Sequence, residues 1–127
     1  MSQSAYILDL GMEASQNLNT KQYYLVKLSG SGTPQGVEIG TSNTDVILGV
    51  LQNEPKETEA ANVRVNGTSK VACGSPFAIG DILTCHTDGR ARKAVTDKDW
   101  IIGISLETAS TAGDQVEVLL TRCKASI

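Results

Sequence analysis

Two kinds of apolar pattern alternate along this chain. In Asn62-Val63-Arg64-Val65-Asn66 and Gln115-Val116-Glu117-Val118, apolar and polar residues take turns. That period of two puts one face of a strand in the core and the other in water. In Val46–Leu51 and Ile101–Leu106 the aliphatic residues run almost without a break, which predicts strands covered on both faces. Further strands are predicted at Tyr23–Leu28, Gly36–Ile39, Lys70–Cys73, Ile82–Cys85, Arg90–Arg92 and Val116–Thr121. Turn residues punctuate them at Asn66-Gly67, Gly80-Asp81, Asp88-Gly89 and Gly113-Asp114, where glycine supplies permissive dihedrals and Asp or Asn bonds nearby amides. Asn66-Gly67 reads as a hairpin turn onto Lys70–Cys73. No window carries a helical apolar stripe, and at most one helical turn fits near Glu57–Ala61. The expected fold is mainly β: a single β-sandwich or β-barrel-like domain.

The chain also repeats itself. Asp45-Val-Ile-Leu-Gly49-Val-Leu returns as Asp99-Trp-Ile-Ile-Gly103-Ile-Ser, an offset of 54 between the two glycines. Each copy runs through a polar turn into an alternating strand, Asn62–Asn66 and Gln115–Leu119, and aligning these strands makes the second turn one residue shorter. Two copies are too few for a solenoid, so the duplication predicts a framework of two related halves, about 21–73 and 74–121. Residues 1–20 are polar apart from Tyr6-Ile-Leu8 and Leu10 and read as an N-terminal arm that adds one strand at most, with the β domain spanning 21–127. Because a domain of this size has little material to cover two faces of a strand, the aliphatic runs and Leu119 favour a homo-oligomer.

Composition narrows the function. The 127 residues suit one domain. Apolar residues make up 40% but aromatics only 4%, so the core is aliphatic and suits strands. The net charge of −3 gives no electrostatic footprint for nucleic acid. The N-terminus lacks a signal-peptide pattern, and no stretch nears the roughly 18 apolar residues of a membrane helix; synthesis in a cytoplasm as a soluble chain is expected. The three cysteines, Cys73, Cys85 and Cys123, form an odd set and read as buried thiols rather than a disulfide framework.

Candidate chemistry is sparse. His86 is the single histidine, and its neighbour Cys85 points to the opposite face of a strand, so the two make neither a zinc grip nor a nucleophile–base pair. The carboxylates Glu54, Glu57, Glu59, Asp97 and Asp99 lie in predicted turns with nothing to mark an acid/base pair. Gly30-Ser-Gly32 has no following helix or phosphate-binding lysine and reads as part of a flexible loop, Ser29–Pro34. Arg90, Arg92 and Lys93 form a small basic patch, either a solvated strand edge or a contact for an acidic protein surface. These residues predict no enzyme, no cofactor and no metal.

Several segments carry a likeness in order: Lys21–Lys27, Gly49–Pro55, Glu59–Val65 with Ser69–Val71, Ala78–Leu83, Asp88–Ala91, and Gly103–Glu107 leading to Gly113–Leu119. Over about residues 14–120 the set resembles the capsid cement (head decoration) proteins of tailed bacteriophages. The resemblance implies a β-rich virion protein on the capsid exterior, commonly a homotrimer, whose partner is the major capsid protein. It implies no catalytic residue. The N-terminal segment departs from the pattern; Tyr6, Leu8 and Leu10 are expected to order against the capsid or a neighbouring copy, with Arg90, Arg92 and Leu119 as further contacts. The alternative is another phage-surface binding module, a carbohydrate-recognition or fibre-base domain. Sugar-binding modules display exposed aromatics, whereas Trp100 sits in an apolar run. A dUTPase-like enzyme would need a glycine-rich C-terminal tail and a nucleotide motif that this chain lacks.

Overall fold

Ten strands and no helix make up the described residues of the computed structural model, 7–29, 35–95 and 99–124, with side chains to 121. They are β1 (Leu8–Ala14), β2 (Leu25–Leu28), β3 (Gly36–Ile39), β4 (Ile47–Leu51), β5 (Ala60–Asn66), β6 (Thr68–Ala72), β7 (Ile82–Cys85), β8 (Ala91–Lys93), β9 (Trp100–Ser105) and β10 (Gln115–Lys124). The first five close into a barrel in the order β1-β3-β2-β4-β5, and the second five form a sheet in the order β6-β10-β9-β7-β8. Adding five to each label of the barrel reproduces the neighbours of the second sheet. That sheet nearly closes as well: Cys73 meets Ala91 in a parallel bridge, where the barrel pairs Ala14 with Val37 in parallel.

The strand order therefore repeats over a longer span than the sequence suggests. The halves are residues 8–66 and 68–124, rather than 21–73 and 74–121. The stretch read as an arm is, from Leu8 onward, the barrel strand β1, running antiparallel to β5 from Leu8↔Asn66 to Glu13↔Ala60. Its polarity misled because a strand at this position buries only some of its side chains; Ala14 and, just beyond it, Leu18 are fully enclosed. Nor is Asn66-Gly67 a hairpin turn. β5 pairs with β1 and β6 with β10, so Gly67, at φ 97°, carries the chain from one half into the other.

Backbone bonds confirm the equivalence position by position. Tyr23 N donates to Leu51 O (2.7 Å), as Gly80 N does to Ser105 O (2.8 Å). Thr58 N donates to Ala14 O (2.8 Å), as Gly113 N does to Cys73 O (2.8 Å). Asp45 accepts from the amide of Thr41 (2.9 Å) and Asp99 from that of Val95 (3.3 Å), each four residues upstream. Val50 faces Arg64 and Leu51 faces Val63, as Ile104 faces Leu119 and Ser105 faces Val118. The counterpart of Val63 is thus Val118, not Val116, and the second turn is one residue longer, not shorter. A period-two pattern slides by two residues without losing its match, which is how the sequence alignment slipped.

Four of these paired positions have positive φ. In the second half they are glycines, Gly80 (88°) and Gly113 (101°); in the first they are Tyr23 (71°) and Thr58 (73°). A β-branched residue in the left-handed region costs about 1–2 kcal/mol. Thr58 is exposed, so Thr58→Gly is expected to raise stability by about 1 kcal/mol after the entropic cost of glycine, or roughly 3–5 °C in Tm. Thermal unfolding followed by circular dichroism checks it.

Two apolar clusters fill the structure. Ala14, Leu18, Val26, Val37, Leu51, Ala61, Val63 and Val65 fill the barrel. The other cluster joins Leu83, Ile102, Val116, Val118 and Leu120 of the second sheet to Leu25, Ile47 and Val50, which come from the outside of the barrel. The halves thus pack head to tail, the inner face of the second against the outer face of the first. A bulge in β4, where the register with β2 slips between Val26 and Lys27, lets Ile47 and Val50 reach the same cluster. The aliphatic run of β4 is covered on both faces by its own chain, so it gives no reason to invoke another subunit.

Candidate functional site

The contact residues expected from the sequence that are described fall on or beside three strands, β1, β8 and β10. Tyr6 lies outside the described residues. Leu8 opens β1, half-exposed, while Leu10 packs against the barrel core. Arg90 and Arg92 flank the start of β8, and Leu119 stands on the outer face of the second sheet at 42% exposure. The five that are described do not gather into one surface.

The basic patch is divided among separate partners. Arg90 Nε and Nη2 reach Asp88 Oδ2 at 2.8 and 2.7 Å. Burial pushes the Asp88 carboxyl up, and the hydrogen bonds from the Arg90 side chain and backbone more than offset that, holding it below the ordinary carboxylate range. Arg92 Nη1 donates to the Lys93 carbonyl (3.1 Å), and Lys93 Nζ sits 3.9 Å from Asp81. Asp88 and Arg90 staple the β7–β8 hairpin, whose Gly89 has φ 84°. Their charges neutralise each other locally instead of forming one field for an acidic partner.

His86 occupies the same hairpin. Its Nδ1 accepts from the Thr87 amide (2.9 Å) and lies 3.8 Å from Asp88. Cys85 points the other way, into the core, where burial pushes its thiol up to about 12. Burial also raises the Cys73 thiol. No thiolate stands beside the imidazole, so the pair is not a nucleophile and its base. Among the described residues no group of three His, Cys, Asp or Glu could hold a metal ion. Both thiols are expected to resist iodoacetamide at pH 8 in the native protein and to react at once in urea; site-resolved mass spectrometry reads this. Native labelling of Cys85 would contradict its enclosure.

Trp100 packs partly buried against the core cluster, not splayed on the surface as a sugar-stacking platform. What the structure adds is a set of aliphatic neighbours for Leu119. Ile82 pairs with Ile104, Ile104 with Leu119, and Leu119 with Thr68. This row crosses four strands on the outer face of the second sheet. Ile82 is 49% exposed and Ile104 half-buried. Ile82 and Ile104 carried a weak signal in sequence, being the outward members of strands whose inward members are also apolar.

No family profile and no curated relative matches the sequence. The fold is matched. The chain superposes on the crystal structure of the head fiber gp8.5 N base of bacteriophage phi29 with a TM-score of 0.72, covering 96% of this chain and 100% of that one, at 20% identity. At that identity the likeness establishes the β architecture, which here extends over both halves of the duplication.

Proposed function

We propose that this chain is a structural protein of a phage virion, a fibre-base-type module seated on the outside of the head, with no catalytic role. The observation that carries the reading is the fold likeness over nearly the whole chain to a structure described as the base of a phage head fiber. The site chemistry fits it: the single histidine and the two buried thiols are built into a hairpin and a core, and the cations near His86 serve the hairpin.

The physics of such a module is mass action. A rigid body that binds an assembled shell and not its separated subunits stabilises the assembled state. A standard interface buries roughly 800 Å² per partner, and several such contacts on one body gain through effective concentration. A cement role, in which the protein bridges shell subunits and resists internal pressure, is the second reading, favoured by the ordered set of segments from Lys21 to Leu119 that resembles the cement proteins. Here the major capsid protein would be the partner in either case.

Mixing the purified protein with immature and expanded heads tests both. Both readings expect binding to expanded heads. A cement protein also raises the temperature at which heads release DNA, whereas a fibre base occupies the head and leaves that temperature unchanged. Absence of binding to either form would overturn both readings.

A further inference from the structure

An asparagine or aspartate followed by glycine can close a five-membered ring onto the next peptide nitrogen, because glycine has no Cβ to hinder the attack. The chain holds two such pairs, Asp88-Gly89 and Asn66-Gly67. The structure protects the first. Asp88 is ion-paired with Arg90 at 2.8 and 2.7 Å, and an ionised carboxylate is a poor electrophile. The Gly89 amide, which would be the nucleophile, donates to His86 O (3.3 Å). The second pair lacks both protections. Asn66 carries a neutral carboxamide, and the Gly67 amide donates to no group among the described residues. Asn66 is exposed at the end of β5. Pairing with β1 is irregular there: the register slips between Leu8 and Asp9, and Leu8, opposite Asn66, is 52% exposed. Strand ends of this kind open locally at little cost. The other asparagines precede residues that carry side chains. Two of them are also tied down: Asn43 donates to Asp99, and Asn53 bridges Ala60 O and the Asn62 amide, both at 3.0 Å.

We propose that Asn66-Gly67 is a site of spontaneous covalent change in the folded protein, at which the joint between the two halves is rewritten as isoaspartate. The step needs only water and base. The Gly67 nitrogen gives up its proton to hydroxide and attacks Cγ of Asn66. The new N–Cγ bond closes a succinimide, the Cγ–Nδ2 bond breaks, and ammonia leaves. Water then adds to either ring carbonyl. Cleavage at Cγ restores the ordinary backbone with an aspartate side chain. Cleavage at the main-chain carbonyl leaves the backbone running through Cβ and Cγ, which is isoaspartate. Both products carry a negative charge that asparagine lacks, and isoaspartate also lengthens the backbone by one atom. That atom falls where the chain has least slack. Gly67 has φ 97° and its carbonyl accepts from Leu120 N (2.9 Å). On one side of it Asn66 pairs with Leu8, and on the other Thr68 pairs with Leu119. A longer joint cannot keep both pairings in register, so the halves lose their registration as the protein ages.

The experiment incubates the full native chain at about pH 8.5 and about 37 °C for several weeks and follows it by peptide mass spectrometry that distinguishes isoaspartate from aspartate. The expected result is conversion of Asn66 at least about tenfold faster than of Asn17, Asn19, Asn43, Asn53 or Asn62, with isoaspartate among the products. Asn66→Gln, which would have to close a six-membered ring, is expected to slow the first acidic isoform on anion exchange by a similar factor. Isolated isoaspartate protein is expected to melt below both the parent and Asn66→Asp, which adds the charge without the extra backbone atom. Circular dichroism reads the melting and establishes that each variant is folded. Should Asn66→Gln fail to fold, the comparison among asparagines decides alone. Conversion spread evenly over the asparagines, or an acidic isoform that Asn66→Gln does not slow, overturns the inference. Isoaspartate protein that melts with Asn66→Asp overturns it too. No readout involves phage heads, so the result is independent of the proposed function.

Discussion

Gly103→Ala and Gly49→Ala are each expected to destabilise the protein by about 3 kcal/mol, a large fraction of the stability of an ordinary domain. The two glycines are counterparts in β9 and β4, and each lies against the strand that follows it. A Cβ at Gly49 would overlap the Arg64 carbonyl oxygen and come 2.9 Å from Val63 Cγ1. At Gly103 it would overlap the Leu119 carbonyl oxygen and come 2.6 Å from Val118 Cγ1. The obstacles are backbone atoms in a hydrogen-bonded neighbour, so no rotamer change relieves them; the strands must part. Gly11→Ala is the control. A Cβ there meets nothing within 4 Å, and the change is expected to stay within about 0.5 kcal/mol of the parent. Urea unfolding of the three variants reads the difference directly. A Gly103→Ala protein as stable as the parent would mean that β9 and β10 do not approach as described.

The second large effect tests whether the clusters act separately. Leu18 and Phe77 hold the same place in the two halves: Leu18 N donates to Pro55 O (2.9 Å), and Phe77 N to Ala109 O (3.1 Å). Leu18 belongs to the barrel cluster and Phe77 to the shared one. Leu18→Ala is expected to cost about 2–5 kcal/mol and Phe77→Ala about 3–5 kcal/mol, the lost transfer energy plus the cavity each leaves. The two share no cluster, so their effects should add to within about 0.5 kcal/mol. Their sum would use up most of the stability of an ordinary domain, and the double variant should be unfolded in buffer. If the measured sum falls short by several kilocalories, the two clusters relax as one.

Much of this fold can be read from the residues, and the places where it cannot have physical causes. The strands around Gly49 and Gly103 announce themselves because long aliphatic runs bounded by turn residues have few other solutions, and the short apolar segments Gly36–Ile39 and Ile82–Cys85 stand out between turn residues. The Asp88-Gly89 hairpin follows in the same way. The first strand stays hidden because Leu8–Ala14 is stabilised by pairing with β5 and β3 across a long stretch of sequence, and its own composition is nearly indifferent. Asn66-Gly67 marks the break between two strands, but a local signal does not say which sheet the chain enters next. The outer row of the second sheet is the least legible part. Leu119 stands out because it breaks an alternation, yet Ile82 and Ile104 become its neighbours only once the order β10-β9-β7 is known. Arg90 looks available in sequence and is committed to Asp88, two residues before it, by side-chain geometry.

The way each half is fastened also orders events during synthesis. The barrel is closed by its earliest and latest strands, with Leu8 opposite Asn66, so it cannot be completed until residue 66 has emerged from the ribosome. The second sheet waits likewise for β10. A barrel completed in that interval would present Leu25, Ile47 and Val50, which the second half buries in the full chain. Pairings this distant along the chain form slowly, so the vulnerable interval is the one in which aggregation or chaperone capture would occur.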